Sequence, residues 1–350
     1  MKKKIVVIND FTVRKSGEMQ YWKRLEQTYD CTVKIVEDRP EVDNSDKFNE
    51  MFLCMEQEGP DSLPLNEELL MESKDADIII SHISPIPDKV LENSERLKAV
   101  CIMRSGVENV SLDYATQKGI KVINAPGRLA VPVAEFTVGL IISEMKNIAR
   151  SYHKMMNGEF ATNGYPNSAY SMNLKGKKIG IIGCGAVGMR VATVMKAFEA
   201  NVLVYDPYAD EEQLIREGFT PVSLNELCRE SDVISIHFRL TKQTERMIGK
   251  EQLNLMKPTC FLFNTARAGL IDEKALIEAL SNHKIGGAGL DVFAQEPLPE
   301  NHPFYQMDNV TLTPHLAGTC ANVFEMTFDI MEKAVTHYLE TGEWVHVVNQ

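Results

Sequence analysis

Residues 178–206 constrain the fold of this chain more than any other stretch. They read KIGIIGCGAVGMRVATVMKAFEANVLVYD, which is an apolar run, three glycines spaced G-x-G-x-x-G, a periodic segment, a second apolar run and an acid. The periodic segment repeats apolar residues at three- and four-residue intervals, which predicts one apolar helix face. Its members are Val191, Val194, Met195 and Phe198. The order strand, glycine turn, helix, strand is typical of a doubly wound parallel α/β sheet.

The three glycines predict a dinucleotide site at the start of the helix. Gly183 allows the tight turn, Gly185 lets a pyrophosphate approach the backbone, and Gly188 lets the helix pack closely on the sheet. The N–H groups of Ala186 and Val187 open the helix and carry its partial positive charge toward a phosphate. A tight turn without a ligand is the alternative, and the complete strand–helix–strand context argues against it.

An acid follows the second apolar run and predicts which dinucleotide binds. Asp206 lies 18 residues after Gly188, at the end of the next predicted strand. A carboxylate there accepts hydrogen bonds from both ribose hydroxyls and repels a 2′-phosphate. The sequence therefore predicts NAD rather than NADP.

Length and charge limit the class of protein. A chain of 350 residues is long enough for about two domains. The net charge of −12 argues against a nucleic-acid or anionic-membrane surface. No stretch approaches 18 consecutive apolar residues, and the N-terminal apolar run is too short for a signal peptide. We expect neither a nucleic-acid partner nor a membrane span.

The seven cysteines are scattered, and no pair has C-x-x-C spacing. That pattern favours free thiols in a reducing cytoplasm over a disulfide framework. No metal site is predicted.

Further short strands alternate with helical segments on both sides of the glycine turn, which indicates parallel β/α units. Predicted strands cover residues 4–8, 76–81, 97–103, 120–124, 233–237, 261–264, 286–292 and 310–313. Predicted helices cover residues 20–29, 131–156, 224–228, 273–280 and 321–340. Residues 43–73 show no clear pattern.

The nucleotide unit lies in the middle of the chain, so the sequence on both sides must be assigned. We expect an α/β protein with two Rossmann-like or flavodoxin-like domains, each with a parallel sheet. Residues 107–316 form the NAD-binding domain, and residues 1–106 and 317–350 form a discontinuous substrate domain. The long helix at 131–156 packs on its own domain or contributes to a subunit interface.

Three charged or titratable residues follow predicted strands after Asp206. They are Arg267, Glu296 and His315. Since ligands of open parallel sheets bind at the carboxyl ends of strands, these side chains can share one site. Arginine suits a substrate carboxylate, histidine suits proton transfer, and a carboxylate fixes the imidazole tautomer. A surface histidine, a sheet-edge arginine and an ordinary loop acid are the alternatives.

Six motifs together resemble the D-isomer-specific 2-hydroxyacid dehydrogenase family. They read RSGVENV (104–110), INAPG with VAEFT (123–137), GCGAVG (183–188), FNTARAGLIDE (263–273), GLDVFAQEP (289–297) and TPHLAG (313–318). The resemblance implies that Arg267 binds the substrate carboxylate and that His315 is the acid–base, paired with Glu296. It also implies two α/β domains with NAD in the cleft between them, a 2-hydroxy or 2-oxo acid as substrate, and a homodimer built on 131–156.

The same resemblance implies further binding roles. Asp291 would hold the nicotinamide carboxamide, and backbone groups of Ser105, Gly106 and Val107 would bind the substrate carboxylate. The nicotinamide side would be lined by His237, Thr265 and Ala266, and the adenosine side by Tyr205 and Pro207.

The chain also departs from the family pattern. Arg239 stands where members often have proline, and the Ser81-His82-Ile83-Ser84 loop lacks the arginine of the phosphoglycerate branch. Arg104 and Arg128 are possible replacements for that arginine. Two alternatives stay open: phosphoglycerate dehydrogenase proper, and an NAD(H)-sensing regulatory or scaffold protein. A formate-dehydrogenase-like function is disfavoured, because that branch has glutamine where this chain has Glu296.

Overall fold

The computed structural model describes residues 2–16, 19–165 and 173–349. The chain forms two compact units. Unit 1 comprises Met1–Arg128 and Cys320–Gln350, and unit 2 comprises Leu129–Thr319. Each unit is built on its own parallel sheet, as the sequence predicts.

Unit 1 has five parallel strands in the order β2-β1-β3-β4-β5. The strands are β1 (Lys3–Asn9), β2 (Cys31–Glu37), β3 (Ile78–Ser81), β4 (Ala99–Ile102) and β5 (Lys121–Asn124). The helices are α1 (Phe11–Ser16), α2 (Met19–Lys23), α3 (Leu25–Thr28), α4 (Ser45–Glu58), α5 (Glu67–Ser73), α6 (Asp88–Asn93) and α7 (Leu112–Gln117). Apolar side chains of β1, β3 and β4 are buried on both faces, because helices cover both sides of the sheet.

The four strands predicted in this region are confirmed, but other elements differ from expectation. The sequence analysis missed β2, where polar Thr32 and Lys34 interrupt the apolar pattern. It also missed α4, whose N-cap Asn44 accepts hydrogen bonds from the N–H groups of Asp46 and Lys47. Two short helices stand in place of the single helix predicted at 20–29. The N–H of Arg24 donates to the carbonyl oxygen of Tyr21, three residues earlier, which is a tighter turn than an α-helix makes.

Unit 2 has seven parallel strands in the order β12-β11-β10-β9-β6-β7-β8. They are β6 (Lys178–Ile182), β7 (Asn201–Tyr205), β8 (Thr220–Pro221), β9 (Val233–Ile236), β10 (Phe261–Asn264), β11 (Gly287–Leu290) and β12 (Val310–Leu312). Its helices are α8 (Ala130–Met145), α9 (Ile148–Met156), α10 (Ala186–Ala197), α11 (Glu211–Arg216), α12 (Leu224–Glu230), α13 (Lys250–Leu255) and α14 (Glu273–Ser281). Short 3₁₀ turns occupy Ala268–Leu270 and Pro303–Gln306. The strands predicted after the glycine turn are confirmed.

The prediction of a single helix at 131–156 is wrong. The chain breaks into α8 and α9 at Asn147, which has a left-handed backbone (φ 55°) that asparagine tolerates. Beside the break, the fully buried carboxylate of Glu144 accepts hydrogen bonds from Arg150 (2.9 Å) and Thr311 (2.5 Å). The break therefore places the guanidinium of Arg150 against the buried carboxylate of Glu144.

The buried face of α10 also differs from the predicted one. Val194 and Phe198 are 38% and 44% exposed. The buried positions are Gly188, Val191, Ala192 and Met195. This face packs against buried residues of α8, such as Ala134 and Ile141, so α8 decides which side of α10 is covered.

After unit 2 the chain returns to unit 1 as α15 (Val323–Thr341), which ends at the left-handed Gly342. Phe328 and Met331 of this helix belong to the core of unit 1. The tail then bonds along β5, where the N–H of Val122 donates to Asn349 Oδ1 at 2.7 Å. The two units divide after residues 128 and 319, rather than at the expected 106 and 316. The first division lies later because β5 pairs with β4 in the sheet of unit 1.

Candidate active site

The glycine turn of unit 2 has the geometry that a dinucleotide needs. Gly183 follows β6 with φ of +91°, and Gly185 is the N-cap of α10. A Cβ on Gly188 would lie 1.9 Å from the carbonyl oxygen of Gly183, so only glycine fits there. A Cβ on Gly185 would meet nothing within 4 Å, so the space in front of the turn is open.

The first turn of α10 faces this open space without a side-chain cap. Ala186 is exposed and Val187 is half-buried. In the first hydrogen bond of the helix, the N–H of Met189 donates to the carbonyl oxygen of Gly185. The N–H groups that precede Met189 therefore have no acceptor within the helix. These donors fit a pyrophosphate.

Asp206 follows β7 and is held by the backbone. Its Oδ2 accepts the N–H of Cys184 at 2.8 Å, and its Oδ1 accepts the N–H of Tyr208 at 2.9 Å. Each carboxylate oxygen has a second lone pair, so both can still bind ribose hydroxyls. Tyr205 is half-buried against Phe238, and Pro207 is exposed.

The residues expected on the nicotinamide side follow β9 and β10. Ser235 Oγ lies 2.9 Å from His237 Nε2, and burial lowers the pKa of His237 to about 3, so its ring is neutral. Thr265 is buried, with its Oγ1 2.7 Å from that of Thr137. The N–H of Ala266 donates to Asn264 at 3.0 Å.

Arg267 stands on the turn after β10. Asn264 donates to its carbonyl oxygen at 2.9 Å, which fixes the backbone of the turn. The side chain is exposed, and Nη1 donates to the carbonyl oxygen of Ala266 at 2.7 Å. The other guanidinium N–H groups have no acceptor among the residues that the structure describes.

His315 and Glu296 form a hydrogen-bonded pair. His315 Nδ1 lies 2.7 Å from Glu296 Oε2, and the N–H of Phe293 donates to Glu296 Oε1 at 3.0 Å. Burial raises the pKa of Glu296, but these hydrogen bonds and the charges of His315 and Arg267 outweigh it and leave the pKa below its usual value. Glu296 is therefore ionised at neutral pH.

Asp291 holds the segment that carries His315. Its fully buried carboxylate accepts bonds from the hydroxyl of Thr313 (2.6 Å) and the N–H groups of Leu316 and Ala317 (2.9 Å each). His315 itself has a left-handed backbone, with φ of 55°. The sequence analysis missed this positioning contact, and the implied role of Asp291 toward the nicotinamide stays a prediction.

Strand order brings the three predicted catalytic residues to one edge of the second sheet. Arg267 follows β10, Glu296 follows β11 and His315 follows β12, and these strands are neighbours in the sheet. The charge of Arg267 contributes to the lowered pKa of Glu296. Arg239 is exposed on the loop after β9.

The predicted carboxylate-binding loop belongs to unit 1 and follows β4. Ser105 is exposed, and its hydroxyl donates to the carbonyl oxygen of Ala125 at 3.2 Å. Gly106 and Val107 are half-buried. The carboxylate of Glu108 lies over Gly106, 2.3 Å from where a Cβ would be, on an exposed side chain that can move away.

Residues 2–16, 19–165 and 173–349 contain neither a candidate membrane span nor a cluster of metal ligands. None of the helices there combines the length and apolarity that a membrane crossing requires. Nor do three or more His, Cys, Asp or Glu side chains in those ranges come together as a metal site.

Comparison with known proteins identifies the family. Residues 138–317 match the family model described as "D-isomer specific 2-hydroxyacid dehydrogenase, NAD binding domain". The chain is 39% identical over 265 residues to a glyoxylate reductase of Thermofilum pendens, covering 75% of this chain and 78% of that one. It is 38% identical over 285 residues to a D-3-phosphoglycerate dehydrogenase of Methanocaldococcus jannaschii, covering 81% of this chain but only 53% of that protein.

A solved structure agrees with this assignment. D-lactate dehydrogenase from Lactobacillus jensenii with NAD⁺ superposes with a TM-score of 0.75 at 26% identity, covering 99% of this chain and 100% of that one. The open glycine turn and the backbone-held Asp206 fit the same cofactor. The chain therefore belongs to the D-isomer-specific 2-hydroxyacid dehydrogenase family and is an NAD-dependent oxidoreductase.

Proposed function

We propose that the protein interconverts a D-2-hydroxy acid and its 2-oxo acid, with His315 as acid–base, Glu296 as its partner and Arg267 as the ligand of the substrate carboxylate. The observation that carries this proposal is the 2.7 Å contact between His315 Nδ1 and Glu296 Oε2. NAD supplies or accepts the hydride when it is bound.

The hydrogen bond decides which ring nitrogen of His315 transfers the proton. Because Glu296 is ionised, Nδ1 carries hydrogen and donates to it, which leaves Nε2 for the substrate. In reduction, Nε2–H of the imidazolium gives its proton to the carbonyl oxygen of the 2-oxo acid. In oxidation, neutral Nε2 takes the proton of the hydroxyl group. Glu296 stabilises the imidazolium in both directions.

Arg267 supplies the charge that positions the substrate. A guanidinium presents a planar fork that matches a carboxylate with two parallel hydrogen bonds. One of its donors already binds Ala266, which orients the side chain. We propose that the backbone of Ser105, Gly106 and Val107 gives further hydrogen bonds to the same carboxylate.

Substitution of His315 tests the acid–base role. His315→Gln should lower kcat about 10²- to 10⁴-fold with NADH binding retained, because proton transfer is lost and the glycine turn is untouched. The measurement is NADH oxidation against a panel of 2-oxo acids. His302→Gln is the matched control, since His302 also pairs with a glutamate of unit 2 (Glu273, 3.5 Å), and its kcat should stay at the wild-type value.

Two further variants separate the partner roles. Glu296→Gln should lower kcat, because the imidazolium loses the carboxylate that stabilises it. Arg267→Lys should raise KM more than it lowers kcat, since a point charge replaces the fork. Turnover that survives His315→Gln unchanged would refute the acid–base role. Tight NADH binding without turnover of any 2-oxo acid by the wild-type protein would instead support a sensor.

We also propose that the protein is a homodimer that uses α9. The helix has no buried residue, and Ile148, Tyr152, Met155 and Met156 are each more than half exposed. Their spacing of three and four residues places them on one face. A contiguous apolar face of this kind is typical of a protein interface.

A charge on this face tests the dimer. Tyr152→Glu should convert the dimer to a monomer in light scattering after size exclusion, because a desolvated carboxylate opposes association. Met71→Glu on α5 is the control, since Met71 is comparably exposed. A wild-type monomer at micromolar concentration would refute the proposal.

The cysteines support a reducing compartment. All seven are unpaired thiols, and Cys31, Cys101, Cys184, Cys228 and Cys260 are buried. We propose a cytoplasmic location on this basis.

A further inference from the structure

Arg239 lies on the loop after β9, between two parts of the candidate active site. In the sheet of unit 2, β9 is flanked by β6, which leads into the glycine turn, and by β10, which leads to Arg267. Because these strands are parallel, their carboxyl ends lie at one edge of the sheet. The loop after β9 is therefore next to the turn that is open to a dinucleotide.

The start of this loop touches the glycine turn. A Cβ on Gly183 would lie 2.9 Å from the backbone nitrogen of Phe238 and 3.0 Å from the carbonyl carbon of His237. The residue after Phe238 is Arg239. Arg239 therefore stands one residue from this backbone contact.

The two neighbours of Arg239 in the chain are fixed by packing. The ring of Phe238 lies 6.1 Å from the ring of Tyr205, on the side of β7. The side chain of Leu240 lies over Gly269 on the side of β10, 2.8 Å from where a Cβ would be. These contacts hold the chain on both sides of Arg239, whose own side chain is exposed.

Hydrogen bonds also fix the backbone of the loop. The hydroxyl of Thr244 donates to the carbonyl oxygen of Arg239 at 2.7 Å and accepts the N–H of Thr241 at 2.8 Å. The N–H of Arg246 donates to the carbonyl oxygen of Gly269 at 2.7 Å, which ties the loop to the turn after β10. Since the loop is already ordered, a ligand of Arg239 pays little for ordering it.

The guanidinium of Arg239 is not used within the described protein. Across residues 2–16, 19–165 and 173–349, none of its N–H groups has an acceptor and no carboxylate lies within salt-bridge distance of it. Its planar fork of donors therefore remains for a ligand. Phosphate oxygens match that fork in charge and geometry.

The glycine turn itself supplies no side-chain cation for a pyrophosphate. Residues 183–189 contain no basic residue, so the turn offers backbone N–H groups and the partial charge of α10. The first basic residue of α10 is Arg190, whose Nη1 donates to the carbonyl oxygen of Ala186 at 2.7 Å. Arg190 also lines a groove between α8 and α10. Arg239 is thus the better placed cation for a doubly charged pyrophosphate.

We propose that Arg239 binds the pyrophosphate of the dinucleotide cofactor and adds a side-chain cation to the backbone donors of the glycine turn. Proline, which members of the family often have at this position, has no cation to offer. The contact is therefore a feature of this chain. It goes beyond the proposed reaction and does not depend on the roles of His315, Glu296 and Arg267.

Equilibrium binding tests the contact without turnover. The ligands are NADH, followed by its fluorescence, and ADP and adenosine, followed by their displacement of NADH. Arg239→Gln should raise the Kd of NADH and of ADP about 5- to 20-fold, as expected for one lost charge-assisted pair at an exposed position. The Kd of adenosine, which has no phosphate, should change less than about twofold.

Two further variants serve as controls. Arg239→Lys keeps the charge without the fork, and should bind ADP more tightly than Arg239→Gln does. Arg229→Gln removes an exposed arginine that precedes β9, at the opposite edge of the sheet, and should leave all three Kd values unchanged. Thermal unfolding of free Arg239→Gln should match that of the wild type, because the lost side chain is exposed.

Each outcome decides the matter. Weaker binding of NADH and ADP, with adenosine unaffected, supports the pyrophosphate contact, and wild-type affinity for NADH overturns it. An equal loss for adenosine also overturns it, since the guanidinium would then lie against the adenosine, and a loss confined to NADH would place it on the nicotinamide half instead. Were Arg239→Gln to unfold, Arg239→Lys would replace it, with a raised Kd for ADP as the supporting result and the wild-type Kd as the overturning one. Failure of the proposed reaction is a separate result, because these measurements need no turnover.

Discussion

Alanine at two glycines of the same turn should produce two different defects. Gly185 and Gly188 are three residues apart, but the structure places open space beside one and a carbonyl oxygen beside the other. Gly185→Ala should fold and lose cofactor affinity. Gly188→Ala should lose stability first, because its new methyl group has no room.

The magnitudes follow from the distances. A Cβ on Gly188 would lie 1.9 Å from Gly183 O, more than an ångström inside an ordinary contact, so α10 must move away from β6. Such overpacking costs about 1–3 kcal/mol, and the helix propensity of alanine returns at most about 1 kcal/mol. For a unit of this size the melting temperature should fall by about 2–8 °C.

The Gly185 variant should behave in the opposite way. Its φ of −74° is acceptable to alanine, and the N-cap change costs about 1 kcal/mol or less. The methyl group would occupy the path by which a pyrophosphate approaches the backbone, so the Kd for NADH should rise about 10- to 100-fold.

Two measurements on each variant decide the matter: thermal unfolding of the free protein, and NADH titration followed by fluorescence. The reasoning fails if Gly185→Ala binds NADH with the wild-type Kd, or if Gly188→Ala melts at the wild-type temperature. Equal losses of stability in both variants would also contradict it, since the open space at Gly185 would then be misassigned.

Three other predictions concern unit 2. Asp206→Ser should reduce the preference for NADH over NADPH at least tenfold in kcat/KM, because the repulsion of a 2′-phosphate is lost; an unchanged ratio refutes this. Asp291→Asn should lower kcat and cost about 1–3 kcal/mol in urea unfolding, since an amide nitrogen must face N–H donors of the His315 segment; wild-type values for both would contradict it. Arg150→Ala should cost about 3–5 kcal/mol at pH 8, because Glu144 stays buried without that cation. Burial raises the pKa of Glu144, so its charged form is disfavoured in the folded protein as pH rises. The stability lost in Arg150→Ala should therefore be smaller at pH 5, and a loss of stability that does not depend on pH would exclude this explanation.

The sequence predicted the elements whose own pattern decides their structure. β6, β9 and β10 are continuous apolar runs, and their near-complete burial matches that pattern. The glycine turn was predictable residue by residue: Gly183 needs a positive φ, Gly188 has no room for a Cβ, and Gly185 leaves space in front of the turn.

Features that depend on a distant partner were not predictable. Asn147 breaks a helix that local periodicity would continue, and the burial of Glu144 beside it needs Arg150 and Thr311. The loop-holding role of Asp291 depends on pairing between β11 and β12.

The return of α15 to unit 1 has a consequence for the order of folding during synthesis. All of unit 2 is translated before Phe328 and Met331, which complete the core on one face of the first sheet. Residues 1–128 should therefore leave the ribosome with that face uncovered and open to chaperones. Unit 2 can already complete its own core at that stage, because it is one continuous stretch of chain. Protease sensitivity of ribosome-stalled chains should show it: chains stalled with residue 319 outside the exit tunnel should be cut in the first 128 residues, and chains that have released α15 should resist.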